Sequence, residues 1–191
     1  ITLNYKDLFQ QVVALLSAPG KAWDEIAERG RFKEVAPAFV YPLIGLCGLS
    51  TFIGAFVGKG MNADVFQVAL TQCCAVAVAL FGGFFLAAYL MGRLHMRWLR
   101  QRVDPDVMLT FVGYSMVVTL VLDIVSGLLS IALLHWILQI YTFVVVYEGG
   151  RRLLKVSEDK QTVWTVLATL TILVCPAVIE FLFNRLSVIL N

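Results

Sequence analysis

Charged residues are scarce in this chain, at 15% of its 191 positions, whereas soluble globular proteins carry roughly 25%. Hydrophobic residues make up 60%, which is more apolar surface than a soluble domain of this length could bury. Familiar catalytic patterns are also missing, because the sequence has no H-E-x-x-H, G-x-S-x-G, P-loop or G-x-G-x-x-G element. The composition therefore argues against an ordinary soluble enzyme and predicts a membrane domain.

Cysteine and histidine are too few and too dispersed to form a disulfide framework or a metal centre. No two cysteines form a C-x-x-C pair, so we expect them to behave as small buried hydrophobic residues. With two histidines no multi-histidine metal site can be assembled, and we expect no metal, no cofactor and no catalytic triad. The net charge of +2 is too small to indicate a nucleic-acid partner.

Long uncharged stretches predict an all-α fold, a polytopic membrane bundle of five transmembrane helices. A helix needs about 20 apolar residues to cross a hydrocarbon core about 30 Å thick. The stretch at 107–147 is about twice that length, so we expect it to fold back at a short turn over 123–127. The predicted spans are 35–57, 65–91, 107–122, 128–147 and 163–183, followed by a short tail at 184–191.

The basic residues predict the orientation of this bundle. Five Lys and Arg residues lie within 6–33, four within 93–102 and four within 151–160, all on one side of a five-span topology. The other side receives only Lys59 and Arg185. Because Lys and Arg accumulate in cytoplasmic loops, we expect the N-terminus in the cytoplasm and Asn191 outside.

Two short amphipathic helices are predicted in the cytoplasmic segment 1–34. The first covers 4–16 with apolar residues at helical spacing, and the second carries Trp23 and Ile26 on one face. One interpretation places both helices at the membrane surface with Trp23 at headgroup level. The other packs them on the cytoplasmic face of the bundle, and the two interpretations are compatible.

Small residues at four-residue spacing predict where helices approach each other closely. Inside lipid, such ridges let backbones come together and drive helix association. We expect intramolecular contacts, with a homodimer seam as the alternative. The first span carries Ser50, Gly54 and Gly58, and the second carries Ala75, Ala79, Gly83 and Ala87.

A basic segment at 93–106 follows the second span, and His95 lies within it. Arg93, Arg97 and Arg100 recur at three- and four-residue spacings, which predicts a helical extension of the span. Their charges are expected to contact anionic lipid headgroups.

Four polar residues within or near the spans are candidate functional residues, because burial in lipid is costly for such groups. Each also has a structural interpretation. Asp123 could cap the fourth span, His135 could be a neutral histidine bonded to a neighbouring helix, and Glu180 could lie in the interface. Gln139 lies one turn beyond His135 and could share its polar stripe. An Asp–His–Glu proton path would require these helices to converge.

Four short segments together resemble the Yip family of Ypt-interacting proteins. They are PGKAWDEI at 19–26 with Trp23, YPLIG at 41–45, VGYS at 112–115 with Gly113 and Tyr114, and the segment 147–160 that begins YEGG. The resemblance implies a five-span fold with a cytoplasmic N-terminus and a non-enzymatic character. The Asp-Leu-Tyr-Gly-Pro motif of eukaryotic members is absent, so this sequence is similar to a prokaryotic member, and binding of Rab GTPases is not expected. Gly113 and Tyr114 could serve helix packing or ligand binding.

The leading functional hypothesis is a non-catalytic protein of the bacterial inner membrane. It would act through protein or lipid partners, as an oligomer or as a subunit of a complex. The alternative is a transporter or channel for a small solute or ion, with a path near Asp123 and His135. A membrane enzyme is a third possibility, but no nucleophile and base can be paired for it.

Overall fold

The computed structural model describes residues 5–57, 62–129 and 139–190, and within these ranges every regular element is helical. The all-α class is therefore confirmed for the described residues. A 3-10 turn (Phe32–Glu34) and a short π-helix (Ala36–Val40) lead into the third helix. The helices are α1 (Tyr5–Ser17), α2 (Pro19–Arg29), α3 (Tyr41–Gly54), α4 (Ala63–Leu99), α5 (Pro105–Ser115), α6 (Val117–Leu129), α7 (Tyr141–Arg152) and α8 (Glu158–Leu190).

Helices α1 and α2 pack on the bundle, as one of the two interpretations predicts. Helix α2 starts at Pro19, where the missing N–H leaves no hydrogen bond unmade. It ends at Gly30, whose left-handed backbone (φ 62°) directs its N–H to the Ile26 carbonyl at 3.4 Å. Leu15 and Trp23 are fully buried in the common core. We call the end of the bundle covered by α1 and α2 the cap end, and the opposite end, at Gly54 and Ala63, the far end.

Helices α4 and α8 are the longest elements and run antiparallel. At 1.5 Å per residue, their 37 and 33 residues extend about 55 and 50 Å, more than a hydrocarbon core of about 30 Å. Gly83 packs on Pro176 in the middle of the pair, and the rings of His95 and Trp164 meet edge to face near the cap end. The predicted helical extension over the basic segment is confirmed as far as Leu99. Within the predicted tail at 184–191, the chain continues α8 as far as Leu190.

The small-residue ridges lie between helices of the same chain. On α3, a side chain at Gly54 would collide with the carbonyl oxygen of Gly127 in α6. A Cβ on Gly127 would come within 2.6 Å of the Ser50 hydroxyl oxygen. The four small residues on α4 form its buried face, against α8 at Gly83. These positions fit the intramolecular interpretation, and Gly58 lies outside the described residues.

The predicted turn at 123–127 is wrong, because these residues lie inside α6. The chain bends earlier, by 40°, between α5 and α6. Met116 causes the break, because its ψ of −4° departs from the helical value of about −42°. Gly127, which suggested a turn, is instead needed where α6 crosses α3 closely.

Three segments are long and apolar enough to cross a membrane: Phe32–Gly54, Ala63–Leu99 and Glu158–Leu186. The bent pair α5 and α6 would make a fourth if it counts as one span. Residues 130–138 of the predicted fourth span, 128–147, lie outside the described residues. An integral membrane protein with three to four described spans is therefore supported, whereas the count of five stays a prediction.

Candidate functional site

Three of the four predicted polar residues line one cavity at the far end. Asp123 comes from α6, Glu180 from α8, and Gln139 from just before α7. The cavity has a volume of about 550 Å³ and is also bordered by α3 and α4. The structure therefore brings together Asp123, Gln139 and Glu180, whereas His135 lies outside the described residues.

The cavity has an acidic wall. Its described lining contains two carboxylates, those of Asp123 and Glu180, and no lysine, arginine or histidine. Asp123 is half-buried in the middle of α6, so its predicted role as a cap of the fourth span is wrong. Glu180 is exposed as well as bordering the cavity, which agrees with its interfacial interpretation. Two acids facing one space can attract a cation or share a proton.

Hydroxyl and amide groups complete the polar wall. The side-chain amide of Gln139 donates to the Thr119 hydroxyl oxygen at 3.1 Å. A second depression of about 490 Å³ shares Glu180 and Ser126 with the first and extends to Asn184. Over the described parts of the chain, no three His, Cys, Asp or Glu side chains form a metal-binding group.

Trp23 anchors α2 at the cap end. Its ring is completely buried, stacks on Phe111 with ring centroids 5.8 Å apart, and meets Tyr114 edge to face at 5.9 Å. The indole N–H donates to the Val145 carbonyl at 2.9 Å, so the only polar atom of this side chain is satisfied. A Cβ on Gly149 would lie 2.7 Å from the indole, which explains why a glycine faces this ring. The Trp23 ring therefore lies inside the protein and is not free to contact lipid headgroups.

A polar clamp lies beside this aromatic contact. The Arg152 guanidinium donates to Glu148 at 2.7 Å and also pairs with Asp24 of α2. The hydrogen bond from Arg152 to Glu148 is the main cause that raises the pKa of Arg152. Gly20 packs against the side chains of Arg152 and Glu148, and a Cβ at this position would lie 2.9 Å from the Arg152 guanidinium. The family-like segments at 19–26 and 147–160 thus meet at one docking site.

Gly113 and Tyr114 belong to the same end of the bundle. A Cβ on Gly113 would lie 2.7 Å from a methyl group of Val40, so this glycine allows close packing. The Tyr114 ring lies 4.6 Å from Phe39, between centroids. Tyr114 also borders a cavity of about 640 Å³ with Arg29 and Asp7. The contacts fit the packing interpretation for Gly113, while Tyr114 has both a packed and a cavity-facing side.

The basic segment divides into exposed and buried residues. Arg93, Arg97 and Arg100 are exposed, whereas His95 is 1% exposed and lies inside α4. His95 is therefore an inward-facing residue of the basic segment. The ring interacts with the Gln101 side chain, but neither ring nitrogen makes a hydrogen bond of good geometry among the described residues.

Trp164 is a central cap-end residue that the sequence patterns did not single out. It is fully buried, packs 5.3 Å from Phe111 between centroids, and lies against Gly150. The adjacent glycines Gly149 and Gly150 were the sequence feature that could have indicated it, since the first packs against the Trp23 ring and the second against the Trp164 ring. Two adjacent helical glycines indicate two close contacts on neighbouring faces.

Together these features define an α-helical integral membrane protein with a folded N-terminal cap. A family model described as the Yip1 domain matches residues 13–179. The chain therefore belongs to the Yip1-domain family, which confirms the resemblance seen in the sequence. Comparison with curated proteins and with solved structures finds no match. The matched range contains the whole α2 docking site and ends one residue before Glu180.

Proposed function

We propose that this Yip1-domain protein is a non-catalytic component of a bacterial inner membrane. It acts through protein or lipid partners, as an oligomer or as a subunit of a complex. The cap end faces the cytoplasm, and the bundle holds α1 and α2 in a fixed position at the membrane surface. The concentration of Lys and Arg at the cap end supports this orientation.

One observation carries the proposal: α1 has a second apolar face that the bundle leaves uncovered. Its first face, with Leu8, Val12 and Leu15, packs on the core. On the adjoining face Tyr5, Phe9 and Val13 follow one another at one-turn spacing, and their side chains are 71%, 67% and 45% exposed. Because α2 is anchored by Trp23, α1 presents this stripe in a fixed orientation. An exposed apolar face on a rigid element is typical of a surface that binds a partner or a bilayer.

The test compares the exposed stripe with polar positions on the same helix. The full chain is purified in mild detergent, and its molecular mass is measured by light scattering. A photo-crosslinking residue at position 9 then reports contacts in native membranes, with position 10 as the control. We expect the wild type to be larger than a monomer or to carry a partner, and position 9 to crosslink to protein or lipid.

Substitution of Phe9 and Val13 by Gln should reduce the complex to a monomer, because it removes apolar contact area. The matched control, Gln10→Ala with Ser17→Ala, should leave the assembly unchanged, since both residues are exposed and polar. A wild-type protein that is strictly monomeric and yields no adduct at position 9 would contradict the proposal.

The acidic cavity favours a second candidate, a path for a small cation or a proton. Asp123 and Glu180 supply the negative charge. Flux into proteoliposomes should then fall with Asp123→Asn and with Glu180→Gln. Asp64→Asn is the matched control, because Asp64 is an exposed acid at the start of α4 and does not line the cavity. No flux from the wild type under either a proton or a sodium gradient would remove this candidate.

A further inference from the structure

A groove on the lateral surface joins α4 and α8 near the cap end. Its volume is about 620 Å³. The α4 side contributes Leu90, Arg93, Leu94 and Arg97, and the α8 side contributes Leu167 and Thr171. Thr171 donates its hydroxyl hydrogen to the Leu167 carbonyl at 2.8 Å, so its donor is already used. Apart from the two guanidinium groups, this wall is therefore essentially apolar.

The two arginines of this groove carry uncompensated charge. Arg93 and Arg97 are one turn apart and project from the same face of α4. Within the described ranges neither guanidinium has a carboxylate within 4.0 Å, whereas at the same end at least one carboxylate lies that close to each of Arg29, Arg31, Arg151 and Arg152. Like charges at this spacing repel each other along a helix. An anion bound between them would remove that repulsion.

The groove is charged toward the cap end and apolar deeper along the helices, as a phospholipid has a charged headgroup followed by apolar acyl chains. Arg97 lies nearest the cap end, and Leu90 lies about 10 Å deeper along α4, at 1.5 Å per residue. The neighbouring surface of both helices is exposed and apolar, with Tyr89 on α4 and Val166 and Leu170 on α8. A guanidinium pair can hold a phosphate by several charge-assisted hydrogen bonds. The apolar wall would hold an acyl chain.

We propose that this groove is a binding site for one anionic phospholipid, with its phosphate between Arg93 and Arg97 and one acyl chain along Leu90, Leu94 and Leu167. The proposal rests on the proposed placement of the cap end at the membrane surface. It goes further than a general attraction of basic residues to headgroups, because it assigns two of the exposed arginines to a shaped site and excludes Arg100 from it. A free phosphate would leave the apolar wall bare, and an uncharged chain would leave the two guanidinium groups unpaired.

The test measures phosphatidylglycerol retained by the purified full chain in native mass spectrometry, with phosphatidylcholine as the uncharged reference. We expect one retained phosphatidylglycerol in the wild type. Arg93→Gln with Arg97→Gln should weaken its binding by about tenfold or more, because charge-assisted hydrogen bonds are lost. Arg100→Gln with Arg102→Gln removes the same charge outside the groove and should change binding by less than about twofold.

A steric pair of variants tests the groove without changing charge. Thr171→Trp should fill the groove and displace the lipid. Val174→Trp, at an exposed position of α8 outside the groove, should not. Thermal unfolding of each variant checks that the bundle remains folded.

Three outcomes would overturn the proposal. They are equal losses in the two double-arginine variants, equal retention of phosphatidylcholine, and displacement of the lipid by inorganic phosphate alone, which would identify a site for a free anion. These measurements use purified protein and added lipid. Failure of the proposed function, seen as a missing partner or adduct at α1, is therefore distinguishable from failure of the lipid site.

Discussion

The two ends of this bundle are built in opposite ways. At the cap end two fully buried tryptophans, Trp23 and Trp164, pack around Phe111, and adjacent glycines receive them. At the far end the helices leave an acidic cavity of about 550 Å³ beside Asp123 and Glu180. At the cap end the space around Trp23 and Phe111 is closed by large rings, and a separate cavity of about 640 Å³ lies beside Tyr114. At the far end the space between the helices is itself open and polar.

The difference separates the positions that hold the fold from those that are free to bind. Tight packing means that a change of one methyl group is felt at the cap end. Space around the polar groups of the far end lets water replace a lost protein contact. The family-like residues Trp23, Gly113 and Gly149 belong to the closed end, so their first role is to dock α2 and α5. Stability should therefore respond to substitutions there far more than at the cavity.

The largest effect is expected for Trp23→Ala. Removing a fully buried tryptophan should cost about 3–5 kcal/mol, measured by SDS-induced unfolding in mixed micelles. Protease should then cut near Ala18, because α2 loses its anchor. The control is Phe9→Ala, at a position 67% exposed, which should change the free energy of unfolding by less than about 0.5 kcal/mol. Equal effects would show that the cap is not docked through Trp23.

The next largest effect is expected for Gly149→Ala. It should lower the free energy of unfolding by about 1–3 kcal/mol, because the new methyl group would collide with the Trp23 ring. Gly92→Ala is the matched control. A Cβ there has open space, so the higher helix propensity of alanine should leave stability unchanged or raise it by up to about 1 kcal/mol. In a Trp23→Ala background most of the cost of Gly149→Ala should disappear. If Gly149→Ala lowers the free energy of unfolding equally in the Trp23→Ala background, the new methyl group clashes with a residue other than Trp23.

Thr119→Val tests the open end. This substitution removes the hydrogen bond from Gln139. We expect the free energy of unfolding to fall by about 0.5–1 kcal/mol in the same assay, because the freed amide can turn toward water in the cavity. A decrease of about 2–3 kcal/mol in the free energy of unfolding would mean that water does not replace the lost hydrogen bond at the far end. Thr71→Val, at an exposed threonine bonded to its own helix, is the control.

The smallest effect is expected for Arg152→Gln. This arginine binds Glu148 and Asp24 on a partly exposed surface, so its loss should cost at most about 1 kcal/mol. The effect should shrink in 1 M salt, where the screening length is about 3 Å. Arg151→Gln should be near neutral, since its contact to Glu158 is 3.9 Å long and exposed. Equal costs for the two variants would contradict a specific clamp at Arg152.

Residue patterns were sufficient for the parts of the fold that depend on composition and periodicity. The helical class, the packing faces of α1 and α2, and the basic extension of α4 all follow from apolar spacing. The transport hypothesis required Asp123, His135 and Glu180 to converge, and the described residues that do converge are Asp123, Gln139 and Glu180. This convergence could not be derived, because it depends on how distant helices pack.

The predicted turn at 123–127 failed for a physical reason. Ser126 and Gly127 are turn formers in water, but in an apolar helix a glycine also serves close approach, and here it meets Gly54. The actual bend falls at Met116, a residue type that favours helix and gives no break signal. His95 lies among arginines in the predicted basic segment, and the pattern did not show that α4 turns its ring inward toward Trp164.

The indole of Trp23 bonds to a carbonyl 122 positions later in the chain, and this separation has a consequence during synthesis. A ribosome adding 5–20 residues per second needs roughly 6–24 s to deliver Val145 after Trp23 has been made. Throughout that interval the indole N–H of Trp23 lacks the carbonyl to which it donates in the folded protein. Docking of α2 through this hydrogen bond can therefore be completed only after the chain has been made as far as Val145 in α7.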